Sequence, residues 1–142
     1  MGYYFFIHSD SEEDSVFSRE MQTVYQNFEG PRIYSESEQV AEYIKTIISP
    51  DRKILIDDAS AYTVVVHIGS LDNIILPHQK TFITIVENPA HFAKFLLIAK
   101  LANPTQNLTV LNEFTLVKYQ QQKGVRTLLM YESKNWAIYQ IQ

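Results

Sequence analysis

The residues best equipped for chemistry in this chain are acids and histidines. In the stretch FFIHSDSEED, residues 5–14, His8 and Asp10 are followed by Glu12, Glu13 and Asp14. A second acid pair, Asp57-Asp58, closes the apolar run KILI. Acids just past the carboxyl end of a strand stand where open α/β sheets hold ligands. Asp10, Asp57 and Asp58 could therefore share a Mg²⁺ ion through carboxylate oxygens. A plainer explanation competes with this one. Glu12, Glu13 and Asp14 fit the first turn of a helix, where each carboxylate gains about 0.3–1 kcal/mol from the helix dipole. Asp57-Asp58 can equally be a turn.

The acid set Asp10, Asp57 and Asp58 resembles the pocket of phosphoacceptor receiver domains, in which an early acid pair meets an aspartate after the third strand. The lysine that family carries at the end of a fifth parallel strand has no counterpart here. The opening around FIHSDSEED is also similar to the first strand and helix of TIR-type signalling domains, over about fifteen residues. The four histidines, His8, His67, His78 and His91, have no helical i,i+4 pair and no HExxH spacing, so no local zinc site is expected. His8 and His67 near strand ends resemble the acid/base pair of the 2H phosphoesterases. Their triplets, His8-Ser9-Asp10 and His67-Ile68-Gly69, lack the Ser or Thr of that motif.

Glu132-Ser133-Lys134 resembles the E-x-K half of the PD-(D/E)xK nucleases, in which two acids hold a cation and a lysine polarises water. The upstream acid would be Glu113. If Tyr119 pairs with Val125 across a hairpin, strand alternation sends Glu113 and Glu132 to opposite faces. Lys118, Lys123, Arg126 and Lys134 stand near Tyr119, Tyr131 and Trp136, a sparse version of a basic-aromatic nucleic-acid surface. Lysines on a sheet edge also discourage edge pairing, and a nucleic-acid partner is not expected.

Composition sets the frame for these residues. The chain has 142 residues, 46% hydrophobic and 20% charged, with nine Tyr and eight Phe. That is enough to bury a core in one domain, 1–142. Four Gly leave little room for a phosphate-cradling loop, and the absence of Cys excludes disulfides and thiolate zinc sites. No stretch approaches the ~20 apolar residues of a membrane span, and no basic segment precedes the apolar start as in a secretory signal. A cytoplasmic location is the expectation. Net charge is −4, unevenly distributed: residues 1–60 hold twelve acids against five Lys/Arg, the remainder four against seven.

The elements that must position these groups follow from periodicity. YYFFIHS (3–9) reads as a buried strand. Val16, Phe17, Met21, Val24, Tyr25 and Phe28 fall on one helical face, closed by Gly30-Pro31. RIY (32–34) is a short strand. Ser35 with Glu38 forms a capping box for a helix whose apolar face is Val40, Ala41, Tyr43, Ile44, Ile47 and Ile48. KILID (53–57), YTVVVHI (62–68) and TFITIVE (81–87) read as strands. Residues 69–80 are ambiguous, because Pro77 argues against a central strand. Asn88-Pro89 fits the start of a third helix containing Phe92, Phe95, Leu96 and Ala99, closed by Asn103-Pro104. Residues 108–119, 125–133 and 136–141 read as a three-stranded antiparallel meander.

The expected order is therefore β-α-β-α-β-β-β-α-β-β-β, an α+β domain with a mixed sheet. The function expected is a non-catalytic protein-binding domain without a cofactor. Inhibitors and immunity proteins resemble it in profile: small, acidic, cysteine-free and without a catalytic motif. The partner would be basic, met through Glu12, Glu13, Asp14, Glu36 and Glu38, with Tyr25 and Tyr34 as anchors. The alternative is a metal-dependent enzyme or receiver-like module using Asp10, Asp57 and Asp58. A third reading is a homo-oligomer assembled through the edge of the late hairpin.

Overall fold

Ser35 starts the first described helix as its sequence predicts. Its Oγ accepts the Glu38 amide at 3.3 Å, and the Glu38 carboxylate accepts the Ser35 amide at 2.8 Å. The computed structural model describes residues 35–103 and 109–142, within one compact unit, Ser35–Gln142. The strands expected at 3–9 and 32–34, the helix behind Ser11, and His8, Asp10, Glu12, Glu13, Asp14, Tyr25 and Tyr34 lie outside the described residues.

In chain order the elements are α1 (Glu36–Ile47), β1 (Ile54–Leu55), α2 (Asp58–Ile68), β2 (Ile74–Ile75), α3 (Phe82–Glu87), a 3₁₀ turn (Pro89–His91), β3 (Phe95–Ala99), α4 (Glu113–Gln122), β4 (Thr127–Glu132) and β5 (Trp136–Ile141). The strands form one five-stranded sheet in the order β2-β1-β3-β5-β4. β2, β1 and β3 are parallel, while β5 runs antiparallel to both β3 and β4. Helices and a mixed sheet in one unit are the α+β class the sequence leads one to expect.

Strand alternation divides the core between the two faces of the sheet. Ile54, Ile56, Ile74, Leu76, Phe95, Leu97 and Ile138 pack with Val40, Ala41 and Ile44 of α1 and Ala61, Val64 and Ile68 of α2. Leu55, Ile75, Leu96, Ile98 and Ile141 pack on the opposite side with Phe82 and Ile85 of α3 and Leu116 and Tyr119 of α4. Each fully buried Ile or Leu contributes about 1.5–3 kcal/mol. Two layers of helices therefore sandwich the sheet.

Four expected elements are corrected. Residues 62–68 form the body of α2, not a strand. Their β-branched residues suggest a strand, but Asp57 caps the start, Gly69 closes the end at φ 76°, and Ala61, Val64 and Ile68 fall at helical spacing on the buried face. Residues 82–87 are the short helix α3, which buries Phe82 and Ile85 three apart. The helix expected after Asn88-Pro89 stops after the single 3₁₀ turn, and FLLIA is the strand β3, buried at every position. It lies between β1 and β5 with helices on both sides, so its two faces are equally apolar and no alternation shows. The first strand of the expected meander is instead α4, capped by Asn112, whose Oδ1 accepts the Thr115 amide at 3.1 Å. Only β4 and β5 of that meander remain. No helix among the described residues is long and apolar enough to cross a membrane.

Candidate functional site

The parallel strands end on one rim of the sheet, called here the carboxyl rim, and begin on the other, the amino rim. Chain connections leave β1 in one direction to β2 and then cross to β3 on its other side, so the reversal point falls between β1 and β3. Doubly wound sheets bind ligands in the crevice at such a point. Asp57 follows β1 there, 5% exposed. Its Oδ1 accepts the Ala59 amide at 3.1 Å, capping α2, and its Oδ2 accepts the Val110 amide at 2.6 Å. Leu111 in turn accepts the Ala99 amide at 2.9 Å. The segment before α4 thus spans from the end of β1 to the end of β3 and occupies the crevice itself. Both Asp57 oxygens serve the fold. Asp58 is half-buried in the first turn of α2, where its side chain makes no hydrogen bond or ion pair among the described residues, and Asp10 lies outside them. No group of three or more His, Asp or Glu among the described residues is arranged to hold a metal ion.

Glu36 is a second fastening point on this rim. Its two oxygens accept the backbone and side-chain N–H of Asn135, both at 2.7 Å. This bidentate contact ties the start of α1 to the β4–β5 turn. Partial burial pushes the Glu36 carboxyl up, but hydrogen bonds from Ser133 and Asn135 and the Lys134 charge outweigh it and leave it below its ordinary value. A lowered carboxyl contributes stability that is present above its unfolded value, 4.5, and is lost as pH falls through the folded one. Glu36→Ala should therefore cost about 1–2 kcal/mol at neutral pH. Urea unfolding at pH 7 and at pH 3 checks this: the difference from wild type should shrink at the lower pH.

Glu38 belongs to the capping box and also faces His67, its Oε1 3.9 Å from Nδ1. Glu36 and Glu38 are thus each held by intramolecular contacts at the start of α1.

The structure also brings Glu113 and Glu132 together, contrary to the opposite faces expected for a hairpin. Glu113 opens α4 and accepts the Leu101 amide at 2.6 Å, while Glu132 pairs with Lys100 at 2.6 Å. Lys100 also donates to the Ser133 carbonyl at 3.0 Å. The Glu132 hydrogen bond, with further help from both carboxylates, raises the Lys100 ammonium above its ordinary value. Burial first, and then the same two carboxylates, raises the Tyr139 hydroxyl. Spacing along the chain could not show this cluster, because it depends on residues 113–122 being helical.

The aromatic members of the basic-aromatic group around the last hairpin are taken up by the fold. Tyr119 and Trp136 are buried, and Tyr131 stacks on Tyr43 of α1 with ring centroids 4.8 Å apart. The Trp136 indole N–H is buried without a hydrogen-bond partner among the described residues. Sequence reasoning missed the exposed apolar residues of the carboxyl rim. Phe114 is 70% exposed, Leu101 63%, and Val110 and Val117 are each nearly half exposed. Phe114 and Val117 share a helix face at i,i+3. The Glu113–Leu101 and Thr115–Val110 hydrogen bonds place the other two beside the first turn of α4. Leu116 and Tyr119 fall on the buried face of α4 and Phe114 and Val117 on the exposed one, a division that a strand assignment conceals.

Comparison of the chain with protein-family models, curated proteins and solved structures gave no match.

Proposed function

We propose that the chain is a non-catalytic protein-binding domain that recognises a basic partner, in the manner of an inhibitor or immunity protein. One observation carries the reading. The carboxyl rim holds six acids, Glu36, Glu38, Asp57, Asp58, Glu113 and Glu132, around the exposed Leu101, Val110 and Phe114. Five of the six already accept hydrogen bonds from the protein's own N–H groups or from Lys100. A rim rich in carboxylates draws in a cationic partner. An exposed ring beside apolar side chains supplies the anchor around which interface energy concentrates. Glu12, Glu13 and Asp14, proposed from sequence charge alone, are a second acidic set for a basic partner, with Tyr25 and Tyr34 as anchors.

The test is quantitative affinity capture with three baits: wild type, Phe114→Asp, and the triple charge reversal of Glu12, Glu13 and Asp14 to Lys. The expected result is one basic protein retained by wild type, lost with Phe114→Asp, and retained more weakly and with less salt sensitivity by the triple variant. Identical retention by all three baits would overturn the proposal.

A further inference from the structure

The amino rim, at the other end of the sheet, carries the opposite charge. Lys53 precedes β1, Lys94 precedes β3 and Arg126 precedes β4. Backbone hydrogen bonds set them in one row: the Lys94 amide donates to the Lys53 carbonyl at 2.8 Å, the Ile141 amide to Lys94 at 2.9 Å, and the Gln142 amide to Arg126 at 2.9 Å. Adjacent strands lie about 4.8 Å apart, so the row crosses four strands within roughly 15 Å. Lys123, the C-cap of α4, is three residues from Arg126. Arg52 stands over the Phe95 ring, its guanidinium carbon 5.0 Å from the centroid. Among the described residues no carboxylate forms an ion pair with any of these five cations. Asp51, Asp72 and Glu87 are the acids in the loops and helix end nearby.

An aromatic pair stands beside the row. Phe92, two residues before Lys94, is 47% exposed, and its ring lies 6.4 Å from that of His91 at a 40° tilt. A row of cations next to an exposed ring is the combination that single-stranded nucleic acids use, phosphates along the cations and a base on the ring. An acidic peptide would use the cations alone. We infer that the amino rim, through Lys53, Lys94, Arg126, Lys123 and Phe92, binds the backbone and a base of single-stranded nucleic acid. The surface is separate from the carboxyl rim and does not rest on the protein-binding proposal.

Fluorescence anisotropy with a labelled oligothymidylate tests this. Binding should be measurable at about 50 mM salt, with log K falling against log salt at a slope near −2 for about three phosphate contacts. Lys94→Glu and Arg126→Glu should each flatten that slope by about 0.7. Phe92→Ala should weaken binding about tenfold and leave the slope unchanged. Lys80→Glu, a charge reversal in the connection between β2 and α3, should have no such effect. Three results would overturn the inference: no binding at low salt; equal losses in Lys80→Glu and Lys94→Glu, which would indicate bulk charge; or poly-glutamate binding as tightly as the oligonucleotide with no sensitivity to Phe92→Ala.

Discussion

Asp57→Ala is expected to lower the unfolding free energy by about 3 kcal/mol, since a lost N-cap costs ~1 kcal/mol and a lost charge-assisted hydrogen bond ~1.5–3. The side chain is 5% exposed and holds two N–H groups from separate segments, Ala59 in α2 and Val110 ahead of α4. Alanine leaves the α2 terminus uncapped and frees the segment that closes the gap between β1 and β3. For a unit of this size the expected fall in melting temperature is about 10 °C. Asp57→Asn keeps one acceptor oxygen and should cost about half as much, because either the cap or the Val110 bond can survive. Thermal and urea unfolding of the two variants measure this ordering. Equal stability of wild type and Asp57→Ala would show that the carboxylate is not a fastener.

Tyr119 gives the second large effect, and it depends on pH. Its ring is 2% exposed, and its hydroxyl donates to the Val86 carbonyl at 2.6 Å, joining α4 to α3. Burial pushes the hydroxyl up from 10.0 to about 12. The folded value lies above the unfolded one, so the native state holds the proton longer. The associated stability is complete below pH 10 and is lost progressively as pH rises towards 12. Linkage across this shift removes about 1.3 kcal/mol by pH 11 and about 2–3 kcal/mol once both states are ionised. Tyr119→Phe cannot ionise. It should be about 1–1.5 kcal/mol less stable than wild type at pH 8, through the lost hydrogen bond. The two proteins should then converge by about pH 11, because only wild type pays for ionisation at this site. Other tyrosines and lysines titrate in both proteins and cancel in the comparison. A stability difference that stays constant from pH 8 to pH 11 would contradict the assignment.

How much of this could be read from the sequence differed from element to element. The start of α1 is legible in the sequence, because Ser35, Glu38 and the Val40-Ala41-Ile44 face are local signals that tertiary packing does not override; its end comes at Ile47, with Ile48 extended. β4 and β5 were legible because a short hairpin is also local. The middle of the chain was misread for one physical reason. In a sheet covered on both faces a central strand such as FLLIA has no polar alternation, whereas a helix rich in β-branched residues such as TVVVHI copies strand composition. Exchanging helix and strand there also concealed the site. Glu113 and Glu132 were placed on opposite faces of a hairpin, although Lys100 pairs with one and is drawn by the charge of the other across the carboxyl rim. Asp57 follows β1, the third expected strand, as the N-cap of α2 rather than as a strand residue. Its second partner, Val110, lies 53 residues away, a pairing no local pattern reveals.

These observations converge on one claim: Asp57 fastens the fold, both of its carboxylate oxygens being committed to the Ala59 and Val110 amides. Urea unfolding of wild type and Asp57→Ala, each with and without about 10 mM Mg²⁺, tests it most directly, since a site with millimolar affinity would add about 1.4 kcal/mol to the stability of wild type. The account predicts a stability gap of about 3 kcal/mol between the two proteins, the same with and without the ion. Stabilisation of wild type by Mg²⁺ that disappears in Asp57→Ala would contradict it.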